Sequence, residues 1–303
     1  MSLAFGAWRA APRTGWTGSA VLSAILLAAG SAVPVAAQQP LPGIGPLAPH
    51  RAVYEITLAD SRGGSGVSDL AGRMVYELTG SGCQGYTQNM RFVTRMTNQE
   101  GVTSVTDMRS SSWEDAVSKA FRFNSSQYKD TKLEESTDGD AARNSTGAEV
   151  QVELSKPAKK AVRLKGDTFF PVQHSIALLA AARKGDQFFI ADLYDGSEKG
   201  EKVYSTASFI GRPKVAGYNK SLPKAENGEK LDGLKSWPIS ISYYEEGSAA
   251  SDAMPSYELA FVYFENGVSR RLFIDYGEFA VRGTLKRVEF LEPAKCTGTA
   301  AKP

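Results

Sequence analysis

The chain has 303 residues, with 35 Lys and Arg against 33 Asp and Glu, and only two cysteines and two histidines. So even a charge balance lacks the basic excess with which proteins neutralise phosphates, and nucleic acid is not expected as a partner. Two distant histidines, and cysteines without Cys-x-x-Cys spacing, supply no recognisable metal site, and no cofactor is expected.

The first element is a targeting segment. Arg9 and Arg13, with no acidic residue near them, precede the apolar run from Ala20 to Ala29, and Val35-Ala36-Ala37 offers a small-residue cleavage site before Gln38. This is the pattern of a cleaved signal peptide over residues 1–37. An apolar stretch of roughly 14 residues falls short of the ~20 that a membrane-spanning helix needs. No cysteine stands near the cleavage point, which closes the lipid-anchored route, so the mature chain is expected to be exported and soluble. Removing the segment takes Arg9 and Arg13 with it and leaves 33 basic against 33 acidic residues. Residues 38–49 are rich in Pro and Gly and read as a flexible tether. Gly43-x-Gly45-x-x-Ala48 has the outline of a dinucleotide fingerprint, but no strand precedes it and Pro46 interrupts it.

From His50 the chain becomes a succession of short β runs. Ala52, Tyr54, Ile56 and Leu58 fall on one face of a strand, with Arg51, Glu55 and Thr57 on the other. Further strands are predicted over 67–79, 86–97, 102–112, 118–124, 129–136, 148–155, 159–165, 187–194 and 201–211. Trp237, Ile239, Ile241 and Tyr243 repeat the alternation, and 256–266, 268–277 and 280–291 complete the set. Turn residues punctuate them, including Glu265-Asn266-Gly267 and Asp195-Gly196. So many strands in one chain predict a single antiparallel sheet, strongly curled into a barrel, sandwich or open spiral. One segment departs from this: Val172, Ile176, Leu179, Ala180 and Arg183 recur at helical spacing after Pro171, and Lys184-Gly185 closes an amphipathic helix over 172–184. Such a helix would plug or cap the concave face, completing the core or acting as a lid. Residues 213–235 read as a long loop, functional or loosely ordered. No composition shift divides residues 50–303, which are expected to form one domain.

Chemistry is sparse. His50 and His174 are the only imidazoles, and a hydrogen-bonded structural role is the simpler reading of each. Asp192, Asp195 and Glu198 lack the spacing of a calcium loop and read as a hairpin turn. Glu134-Glu135 and Glu245-Glu246 are adjacent in sequence and would point to opposite faces of a strand. Lys156, Lys159 and Lys160 read as a solvated turn, and no nucleophile elbow or P-loop occurs. The many strand aromatics, Trp113, Phe121, Phe123, Tyr243, Tyr257, Phe261 and Tyr263 among them, either fill a sealed core or line an apolar groove. If such a groove exists, His174, Ile176 and Leu179 are the helix residues expected to border it. Behind an export signal an even cysteine count favours a disulfide between Cys83 and Cys296. It would close a loop of about 210 residues, which chain entropy values at on the order of 5 kcal/mol.

Several segments carry a resemblance: Pro49-His50-Arg51-Ala52-Val53-Tyr54, Gly72-Arg73-Met74-Val75-Tyr76-Glu77 leading into Cys83-x-Gly85-Tyr86, Phe92-Val93-Thr94-Arg95, Phe170-Pro171-x-x-His174, and Tyr194-Asp195-Gly196-Ser197. Through them the chain resembles the EipB-type cell envelope integrity proteins of alphaproteobacteria. The resemblance implies a periplasmic protein with an open β-spiral similar to the lipoprotein carriers of the Lol system, and a disulfide joining an early strand to the C-terminus. It brings no catalytic residues, so an enzyme is not expected. Two readings follow: a non-catalytic envelope factor that binds an envelope protein partner, and a carrier of a lipid-like ligand in the concave face. With the cysteines near both ends of the sheet, the bond is expected to lock a spiral that lacks the edge closure of a barrel.

Overall fold

Alternation of period two builds nearly the whole molecule. In the computed structural model, which describes residues 47–245 and 254–296, Ala52, Tyr54 and Ile56 of β1 (His50–Ser61) are buried while Arg51, Glu55 and Thr57 face outwards. The expected signal segment and residues 38–46 lie outside the described residues. The last residues of the expected tether are docked: Leu47 is buried and the Ala48 N–H donates to the Asn266 carbonyl at 2.9 Å.

Thirteen more strands follow β1. These are β2 (Val67–Ser81), β3 (Gly85–Asn98), β4 (Thr103–Glu114), β5 (Ala120–Lys129), β6 (Lys132–Arg143), β7 (Glu149–Lys156), β8 (Lys160–Lys165), β9 (Phe188–Leu193), β10 (Tyr204–Ile210), β11 (Ser236–Glu245), β12 (Tyr257–Phe264), β13 (Ser269–Asp275) and β14 (Phe279–Phe290). They form one sheet in the order β8-β7-β6-β5-β4-β3-β2-β1-β14-β13-β12-β11-β10-β9, and neighbouring strands pair antiparallel. Because β1 pairs with β14, the two ends of the described chain meet in the middle of the sheet. Its free edges, β8 and β9, are neighbours in the chain, separated by the helix α1 (Pro171–Lys184).

The sheet curls until those two edges approach each other, and they are stitched at one end only. The Phe169 N–H donates to the Asp192 carbonyl at 2.7 Å, and the Tyr194 N–H donates to the Phe169 carbonyl at 2.9 Å. Lys160 at the start of β8 reaches Glu201 beyond β9 at 2.5 Å. No strand of the described residues pairs with the rest of β9, from Phe188 to Ile190, on the side away from β10. The result is an open, barrel-like sheet.

Helix α1 fills the interior. Val172, Leu178, Leu179, Ala181 and Ala182 are buried in the main apolar cluster with Tyr54, Tyr243, Phe261 and Tyr263. A second cluster closes the other half, where Phe170 and Tyr194 pack on Phe121, Phe123, Val152 and Leu154. Its ring pairs run from Phe121 stacked on Phe170 at 5.1 Å to Phe123 edge-on to Tyr194 at 5.6 Å, separations at which aromatic pairs attract. The helix ends as expected: Gly185 adopts φ 92°, and its N–H together with that of Asp186 donates to the Ala181 carbonyl. The long loop at 213–235 is packed down. Leu222 and Leu231 are buried, and the guanidinium of Arg270 donates to Asn219 Oδ1 and to the Pro223 carbonyl.

Cys83 and Cys296 are bonded, with a Cα separation of 5.8 Å. The bond does not lock the open seam, as was expected from its position near both ends of the sequence. It ties the tail after β14 to the turn between β2 and β3, in the middle of the sheet, while the seam lies between β8 and β9. Backbone joins it there: the Ala294 N–H donates to the Gly80 carbonyl at 3.1 Å. Gly80 has φ 111°, and a Cβ on it would stand 2.2 Å from the Gly85 carbonyl oxygen. Gly80→Ala is therefore expected to destabilise the protein by at least ~2 kcal/mol, as measured by urea unfolding.

Candidate functional site

The sequence-predicted groove residues do not come together on a surface. Leu179 and His174 are buried and Ile176 is half-buried against the core. His174 Nε2 lies 3.1 Å from Thr206 Oγ1, and the imidazole meets the rings of Phe169 and Phe189 edge-on. The Thr206 hydroxyl donates to the Ala191 carbonyl at 2.7 Å, so it accepts from a protonated Nε2. Burial lowers the His174 pKa to about 3, keeping the ring neutral. His50 is buried too, and its Nδ1–H donates to the Ala48 carbonyl at 2.7 Å. Its pKa falls to about 4, burial outweighing that hydrogen bond. Both imidazoles hold structure in place, and neither is set out for proton transfer near neutral pH.

The helix N-terminus is held from a distant strand. Phe170 at the N-cap has no side-chain oxygen to offer, and Pro171 occupies the first helical position. Glu114, at the end of β4, substitutes: its carboxylate accepts from the Val172 N–H at 2.8 Å, from the Gln173 N–H at 2.9 Å and from the Ser118 hydroxyl at 3.0 Å. Burial pushes its pKa up to about 7 against the pull of those hydrogen bonds. Arg143 closes the node, donating to the carbonyls of Ser118, Gly166 and Thr168 with its guanidinium 5.1 Å from the centre of the Phe170 ring. The node pins the helix to the wall of the sheet.

Two features face outwards. The first is a groove on the concave side of β3–β6, floored by Pro171 and by Asp195-Gly196-Ser197, with Met90, Met108 and Gln127 on its walls. Its volume is about 70 Å³. Sites for drug-sized ligands and cofactors run to ~300–1,000 Å³, so an acyl chain has no room in it. The second is the unpaired part of the β9 edge. Phe188 is 67 % exposed, Ile190 77 % and, beside them on β10, Phe209 52 %. The Phe188 and Phe209 rings lie 5.6 Å apart. The sequence did not distinguish these three residues from the other strand hydrophobics, because their exposure follows from β9 being an edge. The other edge, β8, carries Lys160, Arg163 and Lys165, the kind of charge that keeps an edge from pairing.

Among the described residues, no group of three or more His, Cys, Asp or Glu is placed to hold a metal, and no helix is long and apolar enough to cross a membrane. Comparison with known proteins agrees with the architecture. Over 251 residues, 82 % of this chain and 86 % of the relative, the sequence is 37 % identical to the cell envelope integrity protein EipB of Brucella abortus (strain 2308). The crystal structure of a beta-barrel-like protein of a domain of unknown function from Brucella abortus superposes with a TM-score of 0.76 at 36 % identity. That match covers 82 % of this chain and all of the other. The family model described as EipB-like matches residues 43–292, and the chain belongs to the EipB-like family.

Proposed function

We propose that the protein is a non-catalytic periplasmic factor that supports cell envelope integrity by binding a protein partner of the envelope. The observation that carries this reading is the filled interior. Helix α1 and the aromatic clusters occupy much of the concave face, and both the groove beside Pro171, of about 70 Å³, and a second one beside Trp113 and Arg122, of about 270 Å³, fall below the size of sites that take a lipid-like cargo. Recognition then falls to the surface, where the open edge of β9 presents unpaired main-chain groups beside Phe188, Ile190 and Phe209. Monomeric proteins seldom leave such an edge bare, and an extended apolar segment of a partner chain would add to it as a further strand. The envelope role is supported by the name of the Brucella relative, and the periplasmic location by the expected signal peptide.

Crosslinking in intact cells should recover one reproducible envelope protein with the wild-type chain and lose it with the doubly substituted Phe188→Lys, Ile190→Lys variant. Both positions are exposed, so the variant should unfold at the wild-type temperature. Failure to recover any envelope protein with the wild type would count against the reading. Native mass spectrometry of gently extracted protein should show a clean apo mass, whereas lipid-sized adducts would restore the carrier reading.

A further inference from the structure

The charge of the chain is nearly even as a whole but not across its surface. Arg73, Arg95 and Arg282 are exposed on the outer face of the sheet. Register brings them together: Arg282 pairs with Thr57, Thr57 with Ala71 and Ala71 with Arg95, while Arg73 stands two residues along β2 from Ala71. Residues two apart on a strand share a face, so the three arginines frame a floor of small side chains, Thr57 and Ala71. Among the described residues, no carboxylate lies within ion-pair distance of Arg73 or Arg282, and Arg95 reaches Asp69 only at 4.0 Å.

The neighbouring positions extend the patch. Arg91 stands directly opposite Arg109, a cross-strand pairing of like charges that costs stability, and the two share one carboxylate, Asp107, at 2.8 and 2.7 Å. Lys286 holds Glu55 at 2.9 Å. Six cations (Arg73, Arg91, Arg95, Arg109, Arg282 and Lys286) against three carboxylates (Glu55, Asp69 and Asp107) leave three positive charges in excess, in a chain whose whole excess is two. Apolar side chains border the same face. Val105 pairs with Arg95 and is 40 % exposed, and Val102, in the turn between β3 and β4, is 62 % exposed. Around the turns at that end Glu100, Asp130 and Glu134 offset Lys129 and Lys132, so the basic excess belongs to the strands.

Guanidinium forks match phosphate oxygens, and basic residues next to exposed aliphatic ones suit the boundary between lipid headgroups and acyl chains. A soluble polyanion would engage the arginines and leave the two valines bare. We propose that the outer face of β14 and β1–β4 docks on an anionic phospholipid surface, Arg73, Arg95 and Arg282 taking headgroup phosphates and Val102 and Val105 resting at the acyl boundary. The patch lies away from the β9 edge and does not depend on it.

Co-sedimentation of the mature protein with vesicles of phosphatidylglycerol and phosphatidylcholine, against vesicles of phosphatidylcholine alone, tests the proposal. Binding should require phosphatidylglycerol and weaken as salt is added. Arg73→Gln with Arg282→Gln should reduce it about 10- to 30-fold, since each basic residue close to an anionic surface contributes several-fold. Lys156→Gln with Lys159→Gln removes the same charge from the exposed turn between β7 and β8 and should bind as the wild type does. Val102→Ser with Val105→Ser should reduce binding about threefold. All six positions are exposed, so the variants should unfold at the wild-type temperature. Should the arginine pair unfold early, the single substitutions decide, each with a loss of about three- to fivefold. Absence of binding to the phosphatidylglycerol vesicles, equal binding to phosphatidylcholine alone, or an equal loss in the arginine and lysine variants would overturn it.

Discussion

Replacing both Cys83 and Cys296 by serine is expected to lower the unfolding temperature by up to about 10–20 °C while leaving the β-sheet circular dichroism unchanged. The bond spans 213 residues, and closing so long a loop removes on the order of 5 kcal/mol of chain entropy from the unfolded state. For a domain of this size each kcal/mol moves the midpoint by about 2–4 °C. The folded sheet should survive, because β1 and β14 remain paired from His50–Phe290 to Ser61–Phe279 without help from the bond. Only the tail after β14 should loosen, where Ala294 donates to the Gly80 carbonyl and Gln84 Nε2 donates to the Lys295 carbonyl at 2.6 Å. Scanning calorimetry of the oxidised, reduced and serine forms checks this. An unfolding temperature within ~2 °C of the wild type would mean that the unfolded chain is already restricted by other contacts.

The second large effect concerns Glu114. Glu114→Ala should cost about 2–4 kcal/mol in urea unfolding, because it leaves the buried N–H of Val172 and the half-buried N–H of Gln173 without an acceptor and opens space beside the helix. Glu114→Gln, of the same shape, should cost less, about 1–2 kcal/mol, since an amide offers one acceptor oxygen in place of two. The two also separate in pH dependence. Burial raises the folded-state pKa of Glu114 from 4.5 to about 7, so the folded protein holds this proton more tightly than the unfolded chain does. Its contribution to stability is then fully present below about pH 4.5 and is lost as the pH rises to about 7. The Ser118 hydroxyl, now a donor to the carboxylate, can turn to accept from the protonated form. Subtracting the stability profile of Glu114→Gln from that of the wild type isolates the effect. A flat difference between pH 4.5 and 7 would mean that the three hydrogen bonds outweigh burial and keep Glu114 ionised.

Much of this architecture is legible in the chain because alternation is a local property. The faces of β1 and β11 read directly from Ala52, Tyr54 and Ile56 and from Trp237, Ile239 and Ile241. The hairpin at Asn266-Gly267 is equally plain, with Gly267 at φ 90°. The turn between β5 and β6 was misplaced. Ser125-Ser126-Gln127-Tyr128 has the composition of a turn yet lies within β5, and the chain reverses at Asp130 and Thr131, with φ 48° and 74°. Asp130 can hold that conformation because its carboxylate accepts from the Val105 N–H on a neighbouring strand, a long-range contact with no local signature.

The same limit governs the candidate sites. The helix was evident from its spacing, but its cap comes from Glu114, a residue that in sequence is only one of many surface-type acids. Asp195 looked like an ordinary hairpin residue and is a turn residue in fact. What sequence does not carry is that the turn folds under β5 and buries its carboxylate. Likewise Phe188 and Ile190 belong to an alternating strand that would be taken for interior until the strand order makes β9 an edge. With only two cysteines the pairing was unambiguous, whereas its place in the sheet depended on β14 returning to lie beside β1.

That return sets the order in which the molecule can assemble. Every strand pairing except β1 with β14 joins neighbours in the sequence, so β1 to β8 and β9 to β14 can each zip up hairpin by hairpin at little loop-closure cost. Among the strand pairings of the described residues, only that of β1 with β14 joins parts of the chain that lie far apart in sequence, and pairings of that kind are what slow β-proteins down. A polypeptide emerging N-terminus first can therefore complete one half of the sheet on its own. It must then carry β1 as an unprotected edge until the final strand arrives to cover it.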